Sequence, residues 1–265
     1  MPDQETLHIL TSKFIISALL FFRILGFLTA GPFFKSTSIP TQVKVFLGVL
    51  MAISLTAPYW QEQPTIELHL WYSILLVLKE FLVGIAIGFA ANAVFWGARM
   101  AGGLIDFDMG YHTATVFNID EKSPTIVGEL QYMVMILIFL LINGHHQLIE
   151  ALYASVAAVP ITVFEISETT VVLLVKMATT VLLIGIKMSA PLLIAIFLTN
   201  LALALLARVA PQTNIFILSF QVKIAVGLLV LFASVSLFVF VSKLSLQGVQ
   251  EEVMRFIMSL NPAKV

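Results

Sequence analysis

The stretch TTVVLLVKMATTVLLIGIKMSAPLLIAIFLTNLALALLAR, residues 169–208, decides the fold. As one straight helix at about 1.5 Å per residue it would run roughly 60 Å, twice the ~30 Å hydrocarbon thickness of a bilayer. Open strands are excluded at this hydropathy, because unpaired backbone groups in hydrocarbon cost several kcal/mol each. A lipid-facing barrel would alternate polar and apolar residues in segments of about ten, and no such alternation is present. The segment therefore reads as helix. Pro191 near its middle lacks a backbone donor and clashes with the carbonyl four residues earlier. That predicts either one kinked helix or two helices meeting around Ser189-Ala190-Pro191.

The same reading extends outward. Further apolar windows lie near 8–30, 41–58, 70–97, 128–164 and 214–243, which makes the chain all-α with about six hydrophobic segments. Of its 265 residues 60% are hydrophobic and 11% charged, against about 45–50% and 25% in soluble domains. Mean hydropathy is +1.03. The 14 basic and 15 acidic side chains are too few to cover a soluble globule, so the solvent is lipid. A net charge of −1 offers no basic surface for nucleic acid. With no Cys, disulfides, thiolate metal sites and Cys nucleophiles are excluded. Asp3 and Glu5 stand where a signal peptide carries basic residues, so the first segment is expected to be retained as a helix.

Turn residues punctuate the windows. Gly31-Pro32 and Ile39-Pro40 bracket one loop, Pro58 and Pro64 another, and Ala210-Pro211-Gln212-Thr213-Asn214 supplies a third. Asn143-Gly144-His145-His146-Gln147 splits the 128–164 window as a tight break. Its adjacent histidines lack the spacing of zinc ligands, and no metal site or cofactor is expected. Residues 98–128 read as a long linker with Arg99, Asp106, Asp108, Asp120, Glu121 and Lys122 among glycines 102, 103, 110 and 128. Loops of that length are often functional. Within it Tyr111, Val116, Phe117 and Ile119 either anchor at the membrane interface or form an apolar stopper across a passage. Lys35 and Lys44 place residues 31–44 in the cytoplasm by the positive-inside rule. Residues 244–261 set Leu246, Val249, Val253, Phe256, Ile257 and Leu260 at helical spacing against Glu251, Glu252 and Arg255. They predict an amphipathic helix on a membrane surface or a partner.

Ionisable residues inside apolar windows are the candidate functional groups: Arg23, Lys79, Glu80, Lys176, Lys187 and Lys223. A basic residue at the centre of a membrane helix costs about 2.5–3.5 kcal/mol on insertion scales, so each should face protein or water. Lys79 and Glu80 diverge by about 100° on a helix and need separate partners. Lys176 and Lys187 fall near one face, with Thr180 between them. These groups either snorkel and pair between helices or line a pathway. Gly84, Gly88 and Gly97 stand at small-residue spacing and predict close helix packing. No G-x-S-x-G or H-E-x-x-H arrangement is present, so no catalytic residue is proposed and the protein is not expected to be an enzyme.

Arg23 with Gly26 is followed by Pro32 and Pro40, and Glu80 precedes Gly84 and Gly88 at steps of four. Ala101-Gly102 comes before the long loop, and Asn143-Gly144-His145 has Pro160 downstream. Lys187 precedes Pro191, Arg208 precedes Pro211-Gln212-x-Asn214, and Lys223 precedes Gly227. In this order and spacing the residues resemble those of the FliR family, the R subunit of the flagellar type III export gate, whose injectisome homologues are similar.

The resemblance implies a membrane-associated bundle of long, kinked helical hairpins, partly outside the bilayer plane, so six windows need not be six crossings. It implies a P-subunit-like part at 1–128 and hairpins at 129–243 that are Q-subunit-like toward the end. Residues 244–265 would form the amphipathic tail. Function would be non-enzymatic: one R subunit joins P-type and Q-type subunits around a channel for unfolded export substrates. An export-switch membrane protein of the same apparatus is a further implied partner, with membrane lipid and without nucleic acid. The implied location is the bacterial inner membrane, in the flagellar basal body. Loop 110–122, with Gly110, Tyr111, Val116, Phe117 and Ile119, would plug the closed channel. Asn118-Ile119-Asp120 departs from the Asp-Pro that many members carry there. The intramembrane charges would then contact neighbouring subunits. The alternative is a stand-alone secondary transporter of a small solute, which would carry inverted repeats; none is visible in the sequence.

Overall fold

Long apolar runs become helices because each backbone N–H and C=O must be satisfied within its own segment. The computed structural model describes residues 4–34, 39–59, 70–111, 125–161, 163–164, 167–212 and 214–261. Among these residues there are nine helices and no strand. They are α1 (Gln4–Ala30), α2 (Thr41–Tyr59), α3 (Leu70–Met109), α4 (Ile126–Leu141), α5 (Gly144–Ala158), α6 (Glu168–Val209), α7 (Ile215–Ala233), α8 (Val235–Gln247) and α9 (Val249–Ser259). Five of them are long and apolar enough to cross a membrane, or six if α4 and α5 count as one broken span. The all-α expectation with about six hydrophobic segments stands.

Several boundaries follow from local chemistry. The Pro40 carbonyl accepts from the Val43 and Lys44 amides and opens α2. Asn143 sits at φ 57°, a left-handed conformation that Asn tolerates, and so breaks the chain between α4 and α5. Asn214 caps α7, its side chain accepting from the Ile217 amide. Pro191 does not divide α6, which is continuous from Glu168 to Val209. The Ser189 hydroxyl donates to the Gly185 carbonyl at 2.8 Å just before the proline.

One expectation fails. The linker placed at 98–128 starts too early, because α3 stays helical to Met109. Glycines 102 and 103 read as helix breakers, since Gly costs up to about 1 kcal/mol in a helix. Packing overrides that cost. A Cβ on Gly102 would overlap the backbone of Gly128, so this glycine lets α3 and α4 touch backbone to backbone.

The chain forms two units interleaved along the sequence. The first comprises 1–93, 143–177 and 248–265, and the second 94–142 and 178–247. In the first unit α1 packs on α2 and α9 packs on α5. The amphipathic tail thus finds its apolar partner within the chain: Val253, Phe256 and Ile257 are buried while Glu251 and Arg255 remain exposed. Its end is tied down, the Ser259 carbonyl accepting from the Ser167 and Thr170 hydroxyls, and Asn261 donating to the Ala158 carbonyl. In the second unit Gly97 meets Ile184 and joins α3 to α6, while Phe95 stacks edge-on against Phe139 of α4 at 5.3 Å.

Two glycines of α3 give opposite expectations. A Cβ at Gly84 would collide with the Arg23 carbonyl, whereas at Gly103 it would meet only the Thr125 methyl at 3.6 Å. Gly84→Ala should therefore destabilise by about 1–3 kcal/mol, and Gly103→Ala should stabilise by about 0.5–1 kcal/mol. Thermal unfolding midpoints in detergent should move down and up respectively; equal shifts would contradict the packing described.

Candidate functional site

The first unit holds an ion pair sealed from solvent. Arg23 of α1 and Glu80 of α3 are each 1% exposed, with Arg23 Nε donating to Glu80 Oε2 at 2.6 Å. Nη1 donates to the Ser155 carbonyl at 3.1 Å and Nη2 to the Val159 carbonyl at 2.9 Å. Those carbonyls lie at the C-terminal end of α5, where the helix macrodipole presents partial negative charge. One guanidinium thus joins three helices. The second carboxylate oxygen, Glu80 Oε1, is buried without a hydrogen-bond partner among the described residues.

Three glycines of α3 sit at close approaches. Gly84 lies against the Arg23 backbone, Gly88 against Ala30 and Gly31, and Gly97 against Ile184. The small steps of α3 therefore bring α1 near enough for the Arg23 side chain to reach Glu80. Asn92, one turn beyond Gly88, donates to the Ala30 carbonyl at 2.8 Å and satisfies the end of α1.

The remaining intramembrane cations are not gathered at this pair. Lys79 is half-buried on another face of α3 from Glu80, as the angular argument required. Lys176 and Lys187 are exposed on α6, and Lys223 is half-buried on α7. Among the described residues no ion pair involves Lys187 or Lys223. The expected stripe is thus an outward-facing feature.

In the second unit the base of the long loop is fastened at both ends. Asp106 of α3 is 1% exposed, and its carboxylate accepts from the Val127 amide at 3.0 Å and the Gly128 amide at 3.5 Å. A carboxylate from another helix thereby caps α4, whose own N-cap Thr125 makes no side-chain bond. The sequence places Asp106 in a loop, and this capping role is not visible in it. The available signal was an acid followed about twenty residues later by an apolar helix start, which only pairing in space makes specific. Gly110 takes φ 84°, and Tyr111 packs on a cluster of Ile105, Met109, Val127, Leu192 and Ile196. Val116, Phe117 and Ile119 lie outside the described residues. Nearby, Arg99 pairs with Glu129 at 2.9 Å and lies 4.3 Å over the Tyr132 ring; being over a third exposed, this pair contributes at most about 1 kcal/mol.

The His145 and His146 rings lie with centroids 4.2 Å apart, tilted by 37° to each other. Among the described residues no group of three or more His, Asp or Glu side chains is placed to hold a metal.

Helices of membrane-crossing length, buried charge and backbone-level packing define a polytopic α-helical membrane protein. Residues 14–248 match the family described as bacterial export proteins, family 1, and the chain belongs to that family. It is 30% identical over 251 residues to the flagellar biosynthetic protein FliR of Bacillus subtilis (strain 168), covering 91% of this chain and 94% of the relative. Against the Escherichia coli (strain K12) FliR it is 29% identical, covering 78% of each chain. It is also 35% identical over 190 residues to the Yop proteins translocation protein T of Yersinia pestis, covering 69% and 72%. The protein is thus a membrane component of a flagellar or type III export apparatus and acts with other components of that apparatus.

Removing one partner of a buried ion pair costs about 3–5 kcal/mol, while replacing both with apolar groups is often near neutral. Arg23→Met alone should therefore sharply lower the thermal midpoint and the yield of extractable protein. The double variant Arg23→Met with Glu80→Leu should recover most of the loss. Additive losses in the double variant would show that the two charges act separately.

Proposed function

We propose that the chain is a non-enzymatic, pore-forming subunit of a type III protein-export gate, sited in the bacterial inner membrane at the flagellar basal body. In this reading P-type and Q-type subunits complete the wall of a channel for unfolded export substrates, and the export-switch membrane protein docks on the same assembly. Residues 1–128 serve as the P-like part, 129–243 as the hairpins that become Q-like, and 244–265 as the tail. Loop 110–122 obstructs the passage at rest. Arg23 and Glu80 hold the helices of this chain in place, while Lys79, Lys176, Lys187 and Lys223 face neighbouring subunits.

One observation carries the reading. α7 has mean hydropathy 2.4, yet only 6% of its window is buried within this chain, and Lys223 sits near its midpoint. An apolar face can rest on lipid, but a mid-span ammonium is too far from either headgroup layer to be solvated there. Another protein chain is the economical cover. The family match and the names of its relatives, flagellar biosynthetic protein and translocation protein, supply the export context.

Native mass measurement after gentle extraction should find this chain bound to a larger number of other small membrane subunits. A solitary monomer or symmetric homo-oligomer would favour the transporter alternative. Deleting 111–119 should raise leakage of ions or small molecules in cells that express the whole gate. Leakage at the level of the undeleted gate would discard the plug role while leaving the subunit role intact.

A further inference from the structure

The carbonyls at the end of α5 are shared between two distant parts of the chain. Arg23 donates to those of Ser155 and Val159, and between them the Ala158 carbonyl accepts from the Asn261 side chain at 2.7 Å. Pro160 follows and has no amide to offer. Beyond the turn that the Val159 amide closes on Ser155, the helix end therefore depends on side chains from elsewhere. Asn261 is 4% exposed and Arg23 1%. The tail thus ends on the carbonyl next to one that holds the buried ion pair.

The other end of the tail is built differently. Gly248 alone separates α8 from α9. Its φ of −86° and ψ of −9° are open to any residue, and a Cβ there would meet nothing within 4 Å. Neither space nor backbone angle calls for glycine, so what it supplies is freedom of the chain. α9 itself has 11 residues, fewer than the roughly 12–15 at which an isolated helix becomes even marginal in water. Its helicity rests on the burial of Val249, Val253, Phe256 and Ile257 against the first unit. Ser167 and Thr170 hold its last carbonyl, that of Ser259. Loss of these contacts would undo the helix and its docking together.

We propose that residues 249–261 form a strap that opens and closes as one piece about Gly248, and that its closure seals the Arg23–Glu80 pair. Opening withdraws Asn261 from Ala158 and uncovers the last turn of α5, so that water reaches the carbonyls to which Arg23 donates. The attraction between Arg23 and Glu80, strong only while water is excluded, then weakens. A short helix held by four apolar side chains and a few hydrogen bonds opens locally at a smaller free-energy cost than the whole unit. The coupling is reciprocal, so whatever loosens the ion pair also loosens the strap. Closed, the strap keeps α1, α3 and α5 in the one arrangement that Arg23 selects; open, it lets α5 shift against the other two.

The test is hydrogen exchange read by mass spectrometry, on the chain purified with the subunits that co-extract with it. Amides of α9 and of the last turn of α5 should exchange together, at a common rate well above that of α1. Asn261→Ala should speed both about three- to tenfold, the worth of one hydrogen bond. Gly248→Ala, which restricts the open state and disturbs no contact, should slow both about two- to fivefold. Phenylglyoxal modification of Arg23, measured relative to the part-exposed Arg99 in the same sample, should rise and fall by the same factors. Exchange of α9 no faster than that of α1 would overturn the proposal. So would variants that shift α9 while the α5 amides and the reactivity of Arg23 stay at the wild-type level.

Discussion

Arg23 is the point on which the first unit depends. Its guanidinium reaches a carboxylate on α3 and two carbonyls at the end of α5, all without contact with solvent. In hydrocarbon neither charge can be left alone, and the attraction between them is weakly screened. Helices that slide or rotate would strand a guanidinium in an apolar core, so the pair selects one arrangement out of many greasy ones. Leucine packing alone could not do this, because lipid tails are as apolar as leucine and supply no drive for helices to associate.

The pair is possible only because the backbones come close. Gly26 of α1 and Gly84 of α3 face each other at a separation that leaves no room for a Cβ on either. Asn92 and Gly88 extend the same contact to the end of α1. The second unit repeats the device with different parts, Gly102 against Gly128 and the Asp106 carboxylate on the amides that open α4. In each case small residues set the distance and a buried acid fixes the register.

Much of this was legible in sequence, and the remainder was hidden for identifiable reasons. Hydropathy located the helices, and Arg23 and Glu80 stood out because charge inside an apolar window is expensive. Their pairing with each other was not legible, since any of several lysines could have taken Glu80. The length of α3 was misread because Gly102 and Gly103 look like breakers until a second backbone is known to lie against one of them. Asp106 looked like a loop acid for the same reason: its amide partners lie about twenty residues away in sequence. Pro191 had two outcomes that periodicity could not separate, and continuous helix was the one realised.

The carbonyl of Ser259 accepts two hydroxyls from the start of α6, and Asn261 reaches the end of α5. The first unit consequently contains both the earliest and the latest residues of the chain, 1–93 together with 248–265. Domains commonly fold in the order in which they leave the ribosome, but this one cannot. α9 follows α5 by about ninety residues, so the face of α5 that it covers stays open until α9 has been made. A unit assembled from such distant segments closes only when the later one arrives.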